Sequence, residues 1–282
     1  MRPKENLAYA LLRRLAEAGA ETGWLDTPAG QLRWAARGRK GAPPLLVLHG
    51  MGDSLGGWAQ AALPLLARFR VHLLDLPGHG LSDAPPDWRF STFLDGVGRY
   101  LERLERPLVV GHSLGGWLAV RLLRERAAPA AGLVLVNPGG FLPPPEEWAA
   151  FGRLVQAADT RGVRAYLRSA WYSPPLTLRL LPGEVTKVMQ ADSTRGFLAG
   201  LGEPDFLRPE ELSSLRLPLR LGWGERDRLL PRGTLDFFRR HLPAHDFVPL
   251  GRAGHNPHLE TPLRLAHAIA RSLDLRGHAR RR

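Results

Sequence analysis

Pro107-Leu108-Val109-Val110-Gly111-His112-Ser113-Leu114-Gly115-Gly116 is the stretch on which the reading of this chain turns. Its apolar half reads as a short buried strand entering a tight turn, and the amphipathic run Trp117–Arg126 reads as the helix that follows. Gly111-His112-Ser113-Leu114-Gly115 completes the pattern Gly-x-Ser-x-Gly. A serine raised on a strained strand-to-helix turn needs small neighbours two residues to either side, because a side chain there would strike the helix backbone. The helix beginning just after Ser113 aims its free N–H groups and positive dipole end at any anion formed beside the hydroxyl. A glycine-rich turn with an incidental serine is the plain alternative, so the rest of the chain decides.

Outward from this stretch, apolar runs and helical periods alternate. Before it, residues 5–19 place Leu7, Leu11, Leu12 and Leu15 at helical spacing, as for a helix packed on the main body. A membrane-surface helix would carry a denser cationic face. Glu21–Thr27 and Gln31–Arg37 read as strands of a hairpin joined through Pro28-Ala29-Gly30. Pro43–Leu48 is a continuous apolar run, as expected of a strand buried on both faces, and it ends in His49-Gly50-Met51-Gly52-Asp53-Ser54. A helix is expected over Trp58–Phe69, a strand over Val71–Leu74, and a helix over Ser91–Leu104. After the serine turn, Ala131–Val136 is a further buried strand, finishing at Asn137. Such alternation implies a parallel sheet with helices on both faces, and ligands of such sheets bind beyond the carboxyl ends of the strands. The glycine-bearing turns fall at those ends, on the side of Ser113.

The alternation breaks at Phe141. Up to Arg208 the chain shows helical patterns over Trp148–Gln156, Val163–Trp171 and Gly183–Ala191, with proline-marked turns and no clear strand. It holds eight basic and seven acidic residues, nearly neutral within a strongly basic protein. The reading is a helical lid, 141–208, inserted in a core made of 1–140 and 209–282. The stripe Arg161, Arg164 and Arg168 reads as a solvated face rather than an anion site. Sheet pattern resumes at Leu217–Gly222, which ends in Trp223-Gly224-Glu225-Arg226-Asp227. A helix over Thr234–His241, a strand near His245–Leu250, the loop Gly251–Glu260 and a helix over Pro262–Leu273 complete the chain.

Composition narrows the chemistry. No residue is cysteine, so disulfides, thiolate nucleophiles and cysteine-bound metals are excluded. No apolar run nears the roughly 18 residues that span a bilayer, and the N-terminus lacks a signal-peptide apolar region; a cytoplasmic protein is the expectation. The net charge of +12 comes from 36 arginines and 3 lysines scattered over nearly every segment. The one dense cluster, Arg276–Arg282, reads as a frayed tail, and no nucleic-acid motif accompanies it. A dispersed basic surface governs solubility and nonspecific anion attraction rather than specific nucleic-acid binding.

A serine hydroxyl needs a base within hydrogen-bond reach, itself oriented by a carboxylate. Of ten histidines, His255 lies in a glycine-flanked loop after the last strand, opening on the edge that carries Ser113. His258 is expected to face the following helix in a structural role. Asp227 and Glu225 both follow the penultimate strand; Asp227 is favoured because it lies further into the loop. The strand before the lid ends in Asn137, whose amide cannot stabilise an imidazolium as a carboxylate does. The order Ser113…Asp227…His255 fits the Gly-x-Ser-x-Gly class. Backbone donors for an oxyanion are expected from Met51 and Leu114.

With His49-Gly50-Met51, Asp75-x-Pro77-Gly78-His79-Gly80-x-Ser82, Gly111–Gly116, Gly224-Glu225-x-Asp227 and Gly254-His255 in this order, the chain resembles the α/β-hydrolase fold serine hydrolases over nearly its whole length. The resemblance implies an α/β fold with a mostly parallel eight-stranded sheet flanked by helices, and a lid after the sixth strand. It also implies an acyl-enzyme mechanism and no cofactor or metal. The expected partner is a small-molecule apolar ester or acyl substrate, with the chain a monomer or weak oligomer. Aspartate-nucleophile relatives, the epoxide hydrolases and dehalogenases, are disfavoured by Ser113. A carbon–carbon bond hydrolase of ring-cleavage products, or a non-catalytic ligand-binding protein on the same scaffold, are the alternatives to an esterase.

Overall fold

The structure is a computed structural model that describes residues 7–125 and 129–272. Arg126, Leu273 and the basic cluster Arg276–Arg282 lie outside the described residues. Eight strands form one sheet: β1 (Glu21–Thr27), β2 (Gly30–Arg37), β3 (Pro44–Leu48), β4 (Arg70–Leu74), β5 (Leu108–His112), β6 (Gly132–Val136), β7 (Leu219–Trp223) and β8 (Asp246–Pro249). Their order is β1-β2-β4-β3-β5-β6-β7-β8. β1 with β2 and β2 with β4 pair antiparallel, and every other pair is parallel.

The two-residue side-chain period of a strand builds both cores. On β3, Leu46 and Leu48 face one side with Leu74, Val109, Leu133 and Leu135, under the helices Phe90–Leu101 and Leu114–Glu125. Leu45 and Val47 face the other with Val71, Val110, Val134 and Val136, under the helices Ala59–Ala62 and Pro262–Ala270. Both faces being dry, the central strands carry no polar alternation, which is why they read as unbroken apolar runs.

One expected element differs. The run anticipated as a helix over Trp58–Phe69 is three pieces, a 3-10 turn Leu55–Trp58, the α-helix Ala59–Ala62 and a 3-10 turn Leu63–Ala67. Pro64 lacks an N–H and its ring crowds the carbonyl four residues earlier, so a continuous α-helix cannot pass through it. Between β6 and β7 lie helices Pro145–Val155, Thr160–Ala170, Leu176–Leu180, Pro182–Met189, Asp192–Gly200 and Pro209–Ser213. Pro145–Val155, Thr160–Ala170 and Pro182–Met189 meet in a small core centred on Val163, Leu167, Ala170, Val185 and Met189, whereas Phe197 and Leu212 of the later helices join the main core.

The strand–helix turn after β5 is packed without slack. A Cβ on Gly115 would stand 2.1 Å from the Leu48 carbonyl oxygen, and one on Gly111 2.5 Å from the Gly115 oxygen. Both obstacles are backbone, which cannot step aside alone. Gly115→Ala is therefore expected to destabilise by about 1–3 kcal/mol and to displace the turn, read as a lower urea midpoint. An unchanged midpoint would show that the helix sits further from β3 than this packing implies.

Candidate active site

Parallel register places the working loops side by side. Leu48 pairs with Gly111, His112 with Val136, Val136 with Gly222 and Trp223 with Pro249. The turns holding Met51, Ser113, Asn137, Asp227 and His255 thus leave the sheet along one edge.

Ser113 has φ +51°, a left-handed conformation that costs a non-glycine residue about 1–3 kcal/mol. The surroundings over-determine it. Its N–H donates to Val136 O (3.1 Å), and its carbonyl accepts from the N–H groups of Gly116, Trp117 and Gly139 at 3.0, 3.1 and 2.9 Å. Leu114 opens the helix Leu114–Glu125. Its N–H and that of Met51 are paired with no protein acceptor among the described residues, and both residues line the cleft that Ser113 enters.

Asp227 and His255 meet. His255 Nδ1 lies 2.8 Å from Asp227 Oδ2, with the aspartate side chain fully buried. A carboxylate accepts only, so Nδ1 carries the hydrogen, and in the neutral ring the lone pair is on Nε2. Glu225, the other acidic residue of that loop, is exposed. Asp227 Oδ1 accepts from the N–H groups of Leu229 (2.9 Å) and Leu230 (3.3 Å). Asn137 has a use the sequence did not disclose. Its Nδ2 donates to Asp227 Oδ2 at 2.5 Å while its Oδ1 accepts from Gly224 N at 3.0 Å. Asn137 itself has φ +42°, a conformation in which asparagine is enriched. That preference, at a strand end beside the acid loop, was the available signal.

Burial works to raise the Asp227 pKa, but the charge and hydrogen bond of His255, with the Asn137 and Leu229 donors, hold it below its ordinary 3.8. A depressed carboxylate stabilises the fold above its unfolded value, and that stabilisation disappears as pH falls through the lower folded value. Unfolding free energy should therefore decline on acidification from about pH 4, and less steeply in Asp227→Asn. Equal slopes in urea titrations at pH 5 and pH 3 would remove Asp227 as a source of acid sensitivity.

The segment between β6 and β7 is tied to the same loops. Ala170 O accepts from His255 N at 2.7 Å, and Ser169 O from Arg228 N at 3.0 Å. Glu260 accepts from the N–H groups of Tyr172 and Ser173 through Oε1 and of Gly254 through Oε2, at 2.8, 3.0 and 2.7 Å. On the other side, Arg121 donates to the carbonyls of Pro204, Asp205 and Phe206. The cleft between this segment and the sheet edge has about 500 Å³ of space, part of it open to solvent. Met51, Trp117, Trp148, Phe197, Phe206 and Leu230 are part of its wall, and no lining residue is charged.

The Asp75–Ser82 motif builds the scaffold. Buried Asp75 accepts from Leu55 N at 2.7 Å and Leu81 N at 2.9 Å, and Ser82 Oγ donates to Asp75 O at 2.8 Å. His49 donates through Nδ1 to Gly50 O at 2.7 Å and accepts at Nε2 from Leu76 N at 3.1 Å. Burial keeps its pKa below the ordinary value. Among the described residues, one group, Asp53, His112 and His258, brings three possible metal-ligand atoms within 4.8 Å of one another.

Comparison with known proteins agrees with this architecture. The pattern described as "Alpha/beta hydrolase family" matches residues 45–268. A pimeloyl-[acyl-carrier protein] methyl ester esterase of Chromobacterium violaceum is 28% identical over 248 residues, covering 82% of this chain and 94% of the relative. A crystal structure of a membrane phospholipase A superposes with a TM-score of 0.81 at 23% identity, covering 95% of this chain and 90% of that one. The 2-hydroxy-6-oxo-6-phenylhexa-2,4-dienoate hydrolase of a Rhodococcus species superposes at 0.75 with 20% identity, covering 90% and 99%. At these identities the two superpositions speak for the fold.

Proposed function

The chain belongs to the alpha/beta hydrolase family, and within it we propose a serine hydrolase that cleaves a small to medium carboxylic ester through an acyl-enzyme. Ser113 Oγ attacks the carbonyl and His255 Nε2 takes its proton. Asp227 holds the imidazole tautomer, and the Met51 and Leu114 amides receive the oxyanion. His255 then returns the proton to the departing alcohol, and water repeats the attack to release the acid. Residues 141–208 act as the lid, shaping an apolar pocket for the acyl or alcohol group.

The observation that carries this reading is the buried 2.8 Å contact between His255 Nδ1 and Asp227 Oδ2, on the edge where strained Ser113 opens to the cleft. Esterase names among the relatives support it. The uncharged wall favours an ester over the carbon–carbon hydrolase alternative. A dienoate substrate carries a carboxylate, and a buried carboxylate needs a cationic or well-aimed polar partner. A ligand-binding protein on this scaffold would have no use for the ordered imidazole.

Incubation with a fluorophosphonate should label one site per chain, at Ser113, and leave Ser113→Ala unlabelled. Aryl esters of increasing acyl length, run beside a vinylogous diketone acid, should be hydrolysed in preference to it. An unlabelled wild type, or turnover of the diketone acid alone, would overturn the ester reading.

A further inference from the structure

Behind the serine turn lies a second acid–histidine contact that the proposed reaction does not use. His258 Nε2 stands 3.1 Å from Asp53 Oδ2, with the histidine side chain fully buried and the aspartate 10% exposed. The His258 ring is stacked on buried Trp58, centroids 4.9 Å apart and planes 7° from parallel. Its other neighbour is His112, at 4.8 Å between centroids. Gly57 admits the carboxylate, since a Cβ there would lie 2.1 Å from Asp53 Oδ1. Burial works to raise the Asp53 pKa, yet the charge of His258, 3.1 Å away but outside hydrogen-bond alignment, holds it below the ordinary value.

His112 joins this pair to the active site. Its Nε2 lies 2.7 Å from the His255 carbonyl oxygen, so Nε2 is the donor and Nδ1 the lone-pair nitrogen. Burial, then the charges of His258 and His255, drive its pKa well below 6.5, so the ring is neutral. Gly50 lies against its Nδ1 edge, where a Cβ would stand 2.9 Å away. The ring thus lies between His258 and Gly50, and it holds the backbone carbonyl of His255, whose side chain Asp227 holds. Removing an acid–base pair from water costs several kcal/mol, and apolar residues of like volume would fill the same space without that cost.

We propose that Asp53 and His258 are positioning residues: a second, buried Asp–His pair that sets His112 and, through its hydrogen bond to the His255 carbonyl, the attitude of the catalytic imidazole. The inference rests on the serine hydrolase reading, so its test has one arm that needs no activity. In the native protein the His112 Nε2–H should appear in 15N-edited NMR as a slowly exchanging imidazole proton. Exchange as fast as that of an exposed histidine overturns the proposal without any variant. In the kinetic arm, His258→Asn and Asp53→Asn are assayed on an aryl ester per fluorophosphonate-titrated site. Each should lower kcat roughly 10–100-fold, the scale of a small misplacement of a reacting group, with KM nearly unchanged. The double variant, which keeps a neutral amide pair, should lose no more than the worse single one.

A purely structural role would instead reduce the titratable fraction and leave kcat per site at the wild-type value, and that result overturns the proposal. So would losses that multiply in the double variant. One equivalent of zinc or another divalent ion retained by the purified wild type and lost in His258→Asn would make Asp53, His112 and His258 a metal site instead. If the wild type takes no fluorophosphonate label, the hydrolase reading fails by itself and the exchange measurement decides the positioning claim.

Discussion

Ser113→Ala is expected to lower kcat on aryl esters about a millionfold, the scale seen when the nucleophile of a serine triad is removed, while thermal unfolding stays where it was. The two parts of this result have separate causes. Loss of Oγ would remove the proposed covalent route, leaving only what binding and the amides of Met51 and Leu114 supply. The backbone remains at φ +51°, and alanine finds that conformation no easier than serine does. Ser113→Gly separates chemistry from strain, because glycine enters the left-handed region freely. It should be equally inactive yet more resistant to urea, so that a residue costing stability is the one activity requires. Retention of even one per cent of activity in either variant would mean that another group attacks the ester.

The sheet was legible because its central strands are buried on both faces and stand out as apolar runs such as Pro43–Leu48 and Ala131–Val136. Boundaries moved by a residue or so, to Pro44–Leu48 and Gly132–Val136. The hairpin Glu21–Thr27 with Gly30–Arg37 was legible from its turn, and it supplies the sheet's antiparallel edge. Less could be read between β6 and β7. Helices Leu176–Leu180 and Asp192–Gly200 were missed. One is barely a turn long with no buried residue, and the other opens Asp-Ser-Thr-Arg-Gly, a start with no apolar period. The helicity of Asp192–Gly200 rests on packing through Ser193, Thr194 and Phe197, which a local pattern does not record.

The candidate site divides in the same way. Ser113, Asp227 and His255 were marked by glycines, which announce turns and close approaches in the local sequence, and the structure brings Asp227 against His255 at 2.8 Å. The groups that hold them carry no such mark. Asn137 reaches Asp227 across 90 residues and Glu260 reaches Tyr172 across 88. An asparagine or glutamate in a loop looks the same whether it faces water or a distant amide. His258 was expected to face the helix after it, whereas its ring is turned inward to Asp53 and Trp58. Pro257 starts a short helix there, Pro257–Glu260, and the ring lies against His112 of the serine turn.

Asp227→Asn should lower kcat about ten-thousandfold with the fold retained, by the tautomer argument established for serine triads, and the local hydrogen bonds say why no rotamer escapes it. Asp227 Oδ1 faces two donors, the N–H groups of Leu229 and Leu230, and Oδ2 faces two more, Asn137 Nδ2 and His255 Nδ1. An amide offers one oxygen and one NH2 group. If the oxygen keeps the loop amides, the NH2 group faces Asn137 and His255, and the imidazole can accept it only by moving its hydrogen to Nε2. That tautomer cannot take a proton from Ser113. If the amide turns over, its NH2 group is pressed against Leu229 and Leu230, and the loop must open. Either way the loss should fall on kcat, because the apolar cleft proposed to take the substrate is untouched. Raising pH should restore part of the rate in Asp227→Asn as hydroxide substitutes for the missing base. Glu225→Gln, on an exposed side chain, should behave as wild type across the same pH series. A Glu225→Gln variant that lost activity on the Asp227→Asn scale would transfer the acid's role to residue 225.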